Sequence, residues 1–352
     1  MATQLFISSL AVFFALLFTW SFRTLPEERW QIIASVPIGK VSGNQWKGLN
    51  LTFYGFFLAS SCALAAVIGY VLLRAIQVPP YAIFALVGSL FLIATPCARL
   101  VARIVEGKLH TFTVAGAMFV GTLIAPAIVF GINSIFANDG GPVIPLIPTL
   151  AAAAVAYAYG EGTGRLACIS FGCCYGKPVQ RTNGLLRRFF DRVNFKFFGE
   201  TKKASYEGGL EGIKLIPIQA ITAIIYISIA LLSTYLFLKS NFVGSTIVAV
   251  AGTQIWRSIS EFLRADYRGK GKGKLSDYQI MAVVNIAYVI GLLIAFPTSI
   301  PGSPNILTGL KSLWDPTILV ALASLWAIIF LYTGRSSVTG SSLSFQVYRD
   351  KI

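Results

Sequence analysis

Nine apolar runs punctuate this 352-residue chain, at 5–22, 51–73, 81–98, 112–136, 144–159, 215–238, 243–263, 278–296 and 317–331, and most are long enough to cross a bilayer. With 55% hydrophobic and only 12% charged residues, there is too little polar surface to cover a water-soluble globule of this size. The chain therefore reads as an all-α, polytopic membrane protein, since helices satisfy their own backbone groups in lipid. The first run lacks the basic start and small-residue cleavage site of a secretory signal and is expected to be a retained helix. No internal repeat supports the inverted-repeat logic of secondary transporters.

The formal net charge of +15 sits mostly in the loops, where anionic lipid headgroups, rather than nucleic acid, are the expected partner. Residues 177–214 read as a small basic extramembrane arm, with Leu185–Phe198 (LLRRFFDRVNFKFF) able to lie in the headgroup plane or to be a plain solvated loop. Residues 23–50 read as a polar interfacial linker anchored by Trp30 and Trp46. Counting helices places this linker, residues 99–110, the arm, residues 264–277 and the C-terminal tail on one face of the membrane.

The stretch Gly160–Gly176 (GEGTGRLACISFGCCYG) organises the rest. It places Glu161 and Arg165, four apart, at the end of an apolar run, together with five glycines and three of the five cysteines. Charge inside a hydrophobic span is expensive, and an ion pair there usually faces a polar cavity that marks a substrate path or reaction site; the plain alternative is a structural pair at a helix end. The glycines suit the mouth of a cavity, where backbone approaches a ligand or takes positive φ. A second constellation lies in WRSISEFLRADYR, where Arg257, Glu261 and Arg264 fall on one helix face. Arginine's fork matches phosphate oxygens, and a neighbouring carboxylate holds the fork and keeps the empty site neutral. Two clamps for an anionic phospholipid result, with Arg165, Arg257 and Glu261 as catalytic candidates and Glu161, Gly164 and Arg264 as binding ones.

Tyr54 and Gln219 could orient a headgroup, and His110, the only histidine, is the natural general base by pKa unless it is merely an interface residue. Cys168, Cys173 and Cys174 could be packing residues, or a nucleophile favoured by Arg165; Cys168 and Cys173 are included among the binding candidates. Adjacent cysteines are a poor zinc arrangement, so no metal or other cofactor is expected.

In order along the chain, the organising stretch, Pro217-Ile-Gln219, the helix ending WRSISEFLRADYR, and LSDYQIMAVV resemble the prolipoprotein diacylglyceryl transferase family, as does TFYGFF at Thr52–Phe57. The likeness covers about 51–296. Of the signature Gly-Arg-x-Gly/Ala-Asn-Phe-x-Asn-x-Glu-x-x-Gly, this chain keeps Gly164, Arg165, Ala167 and Gly176. Cys168, Phe171 and Cys173 replace the two Asn and the Glu, and HTFTVAG at His110–Gly116 stands where the family has His-Gly-Gly.

The resemblance implies a seven-helix core at 51–297, including the arm 177–214, with an extra helix and linker at 1–50 and a loop, extra helix and polar tail at 298–352. It further implies transfer of a diacylglyceryl group from phosphatidylglycerol to a cysteine thiol of a lipoprotein precursor, at the outer face of the bacterial plasma membrane. A transporter or flippase for an anionic lipid or metabolite would use the same arginines without chemistry, and a non-catalytic membrane protein could keep the fold.

Overall fold

A computed structural model of the chain describes residues 1–106, 114–136, 144–266, 275–298 and 303–352. Its nine long helices are α1 (Ala2–Thr24), α2 (Phe53–Ala75), α3 (Pro80–Glu106), α4 (Val114–Phe136), α5 (Leu146–Phe171), α8 (Ile218–Leu238), α9 (Phe242–Ser260), α10 (Asp277–Ala295) and α12 (Pro316–Thr333). The shorter α6 (Gly184–Arg192) and α7 (Lys203–Tyr206) lie in the arm, and α11 (Ile306–Ser312) precedes α12. Seven of the long helices, all but α5 and α9, are long and apolar enough to cross a membrane by composition alone. The chain is a multi-pass membrane protein, with seven long helices between residues 53 and 295 and one beyond each end among the described residues.

α5 is the hub. Eighteen of its 26 residues are buried, which it achieves by packing against α2, α8, α9 and α4 on different sides. A helix surrounded by protein rather than lipid can carry polar side chains, so α5 keeps Thr163, Glu161 and Arg165 at a depth where an outer helix could not. By contrast α12 buries only Ile318. α5 also runs through the glycine-rich stretch instead of ending at Tyr159. Gly160 and Gly164 lie against Ala65 and Ser61 of α2, and Gly162 lies against Tyr226 and Ile227 of α8, so these glycines bring helix backbones close together. Of the five, Gly172 alone takes positive φ (72°), capping the helix.

The linker between α1 and α2 is folded. β1 (Ile32–Ser42) and β2 (Gln45–Thr52) form an antiparallel hairpin, and the tail adds β3 (Arg335–Ser344) to the outer side of β2, an addition to an otherwise helical fold. Trp46 packs edge-on against Phe345 in this sheet, and Trp30 meets Trp20 and Phe53 with ring centroids about 5 Å apart, so both tryptophans serve packing. The sheet pins α2 to α12: the Thr52 amide donates to the Gly334 carbonyl at 2.9 Å, and a Cβ at Gly55 would sit 2.1 Å from the Gly334 Cα. Because backbone rather than a flexible side chain blocks that position, Gly55→Ala is expected to destabilise the protein by about 1–3 kcal/mol, read as a lower unfolding temperature in detergent.

At the C-terminal end of α5 the arm is woven into the helix ends. Lys177 N donates to Leu263 O, Ile216 N to Lys177 O and Ala265 N to Tyr175 O. Gln31, just before β1, binds Thr201 of the arm through both its side-chain amide groups. Arm, hairpin, tail and the ends of α5 and α9 thus share one end of the bundle. Within the arm, α6 buries Phe190 and leaves Leu185, Leu186 and Phe189 exposed beside Arg187, Arg188 and Arg192, the pattern of a headgroup-plane helix.

Lys202 is the arm's anchor. It is completely buried and donates to the carbonyls of Ser170 (2.6 Å) and Leu25 (3.2 Å), tying α5 to the end of α1. Burial pushes its ammonium down to about 7, only partly opposed by Glu28 and Glu27. The unfolded chain therefore binds this proton first as pH falls. The Lys202 contribution to stability declines between about pH 10.5 and about pH 7 and is level below that. Melting curves across that window should show a rise toward alkaline pH that Lys202→Met removes; an identical slope in both proteins would refute it.

Candidate functional site

Three arginines converge where α5, α8 and α9 meet the arm. Arg165 projects from the penultimate turn of α5 and is ion-paired with Glu161 one turn earlier, both side chains largely buried. Arg257 leaves the last turn of α9 and lies over the ring of Tyr278 at 5.5 Å from its centroid. Arg264 follows the 3-10 turn Glu261–Leu263 in extended backbone, bridged to Gly176, and grips Asp266 with a two-pronged contact of 2.8 Å on each side. Burial alone would weaken the Arg264 cation, but Cys174 and Asp266 beside it more than offset this and hold it charged. Arg165, Arg257 and Arg264, with Thr222, Tyr226, Ser260 and Glu261, line a polar cavity of about 10 Å³, roughly one water's room.

The structure thus assembles Arg165, Glu161, Arg257, Glu261 and Arg264 at one place, with one change of partner. α9 stops at Ser260, so Arg264 does not continue the helix face of Arg257 and Glu261; its two-pronged carboxylate partner is Asp266, which the sequence reading passed over. The signal was available: in extended backbone, residues two apart point the same way, and Arg264-Ala-Asp266 has that spacing. Gly164 faces Ser61 of α2 and belongs to helix packing rather than to the pocket lining. His110 lies outside the described residues.

Gln219, in the first turn of α8 and one turn from Thr222, donates from Nε2 to the Cys173 carbonyl at 2.9 Å. Its Oε1 is buried and accepts no hydrogen bond among the described residues, so it is available to a ligand donor. Tyr54 stacks edge-on with Phe171, 5.5 Å between centroids, within electrostatic reach of Arg165 and of the thiols of Cys168, Cys173 and Cys174. Hydrogen bonds from the Cys168 and Cys173 thiols, with Arg264 and Arg165 beyond them, hold the Cys174 thiol well below the usual thiol range.

A second cavity adjoins the first. About 300 Å³ in volume and almost wholly apolar, it is a partly open cleft between α3, α4, α5, α9 and α10, with Phe91, Met118, Gly121, Ala154, Val250 and Leu292 in its wall. Tyr157 of α5 lines it, and its ring meets Tyr226, which lines the polar pocket, at 6.2 Å. A cationic pocket and an apolar chamber, separated by one pair of tyrosines, suit a ligand with an anionic head and a hydrocarbon tail.

The family model of prolipoprotein diacylglyceryl transferase matches residues 44–295 of the chain. No curated protein and no solved structure matches it.

Proposed function

The chain belongs to the prolipoprotein diacylglyceryl transferase family and is a membrane transferase, and on that premise we propose that it moves the diacylglyceryl group of an anionic phospholipid, phosphatidylglycerol, onto a cysteine thiol of a lipoprotein precursor. The observation that carries the donor assignment is the adjacency of the arginine pocket and the apolar cavity across Tyr157 and Tyr226. One phosphate oxygen, which needs about a water's room, enters among Arg165, Arg257 and Arg264, an acyl chain fills the 300 Å³ cavity, and the headgroup glycerol donates to Gln219 Oε1. The flippase and non-catalytic readings draw no support from family membership.

The chemistry follows from that placement. The acceptor sulfur forms a bond to the glyceryl carbon as that carbon's bond to the phosphate oxygen breaks, and glycerol phosphate leaves with the electron pair. Negative charge grows on the phosphate in this step. Three guanidinium groups already in place around a narrow pocket favour that growth without reorganising water. Glu161 and Asp266 keep Arg165 and Arg264 compensated in the empty site. His110 is the candidate to take the thiol proton, on its chemistry alone.

A transfer assay tests the proposal. Purified protein in nanodiscs of phosphatidylglycerol, given a peptide with a single cysteine, should release glycerol phosphate and increase the peptide mass by one diacylglyceryl group. Nanodiscs of phosphatidylcholine should support neither. Release with neither lipid would contradict the reading.

Orientation has its own test. The basic loops of the site end would by insertion energetics face the cytoplasm, but a face that binds phosphate is basic for a separate reason. We place this face outside the bacterial plasma membrane, with the N-terminus in the cytoplasm. Cysteines introduced at the exposed Lys196 and Val347, in a chain with its own five cysteines replaced, should react with a membrane-impermeant thiol reagent in intact cells. Protection of both until the cells are opened would reverse the orientation.

A further inference from the structure

The loop after α5 folds three cysteines onto one point. Gly172 is left-handed, and the Cys173 amide returns to the Cys168 carbonyl at 3.0 Å, so the capping turn lays Cys173 back over Cys168. Cys174 then takes φ 55°, a conformation that non-glycine residues seldom hold. All three Sγ atoms lie within 4.8 Å of one another and none is in a disulfide. The loop is fixed from outside by Gln219 on the Cys173 carbonyl and by the Ala265 amide on the Tyr175 carbonyl. Chain spacing argues against a metal here because it cannot show the two left-handed turns that bring adjacent cysteines to the same centre.

Three thiols with no imidazole or carboxylate among them select a thiophilic ion. Zinc–sulfur bonds of about 2.3 Å put tetrahedral sulfurs about 3.8 Å apart, so the cluster must contract by about 1 Å at most. Three protein ligands leave the fourth corner open, as in catalytic rather than structural zinc sites. Gly176, two residues after Cys174, is bridged to Arg264, which lines the phosphate pocket, and Gln219 of α8 holds the Cys173 carbonyl, so the cluster lies beside the place where the donor would react.

Resting on the reading of the protein as a transferase to a thiol, we propose that Cys168, Cys173 and Cys174 bind a zinc ion whose open fourth position takes the acceptor cysteine as a thiolate. Coordination breaks the acceptor S–H bond and passes its proton to water or a nearby base. The sulfur then forms the S–C bond to the glyceryl carbon while the C–O bond to phosphate breaks and the electron pair departs with glycerol phosphate. Zinc stays divalent throughout, and no oxidant or reductant is needed. Cys168 and Cys173 stand where the family signature has Asn and Glu, and the metal gives this chain its own means of activating the acceptor.

The test is cobalt substitution in the full-length purified protein. After treatment with a chelator, titration with Co²⁺ should give a thiolate-to-cobalt charge-transfer band that saturates at one equivalent and is displaced by one equivalent of Zn²⁺. Cys168→Ser, Cys173→Ser and Cys174→Ser should each weaken or abolish the band, while Cys62→Ser/Cys97→Ser should keep it. A peptide with one cysteine should shift the band, and its serine counterpart should not. The wild-type spectrum decides even if the serine variants fail to fold: no thiolate band in the folded protein overturns the site, and a band indifferent to the cysteine peptide overturns the open position. Group transfer by protein free of stoichiometric metal would remove the zinc and leave the transferase reading intact. Metal binding with no transfer from any donor would keep the site and sink that reading.

Discussion

Arg165→Ala and Arg257→Ala should each lower turnover of the phospholipid donor by on the order of a hundredfold or more, the loss of about 3 kcal/mol of transition-state stabilisation typical of one preorganised contact to developing charge. Removing Arg165 leaves Glu161 buried without its ion-pair partner, which costs stability as well as rate, so Arg165→Ala/Glu161→Gln separates the two by relieving the stranded carboxylate without restoring the fork. Arg257 lines the pocket and lies over Tyr278, and the effect of its loss on kcat is read beside its effect on stability. Lysine at either position supplies charge without the two-pronged geometry and should rescue poorly. Near wild-type turnover in either alanine variant would make that arginine structural, and near wild-type turnover with lysine would show that charge without the fork suffices. Each activity is to be read beside a melting curve of the same preparation.

The second large effect is expected in the apolar chamber. Gly121 lines it, and a Cβ added there has no atom within 4 Å, so Gly121→Trp is expected to extend its indole into the cavity. Turnover of phosphatidylglycerol with long acyl chains should fall at least tenfold, with the loss concentrated in KM, while a donor with very short chains should be spared. The volume of the indole replaces the volume of the chain, and the arginine pocket is untouched. Equal losses for long and short donors would mean that the chamber does not hold the chain.

The bundle was legible because apolar length is a direct requirement of the bilayer: the nine runs correspond to the nine long helices, with ends displaced by a few residues at most of them. The largest exceptions are α3, which runs on to Glu106, and α5. The glycines of α5 read as an opening, yet in a crowded bundle small residues are what let helices meet, and the helix continues to Phe171. The sheet was harder to read because β3 lies almost 300 residues from its partner β2, although Gly43-Asn44 between two extended stretches is a hairpin signal. In the site, helix spacing gave the Glu161–Arg165 pair directly. It could not give Asp266, which needs the chain to leave the helix at Ser260, or the cysteine cluster, which needs two left-handed residues. The apolar cavity is formed by five helices and leaves no local mark at all.

One measurement reaches the central claim, that the arginine pocket and the apolar cavity hold a single phospholipid. A phosphatidylglycerol with a photoactivatable group near the end of one acyl chain is bound to the purified protein in nanodiscs, irradiated, and the labelled peptides are mapped. One lipid across both cavities should label α4 and α10 around Met118 and Leu292, and the labelling should disappear in Gly121→Trp and with excess unlabelled phosphatidylglycerol. Labelling confined to outward-facing positions such as Leu92, Ile104 and Ile135, unaffected by Gly121→Trp, would contradict it.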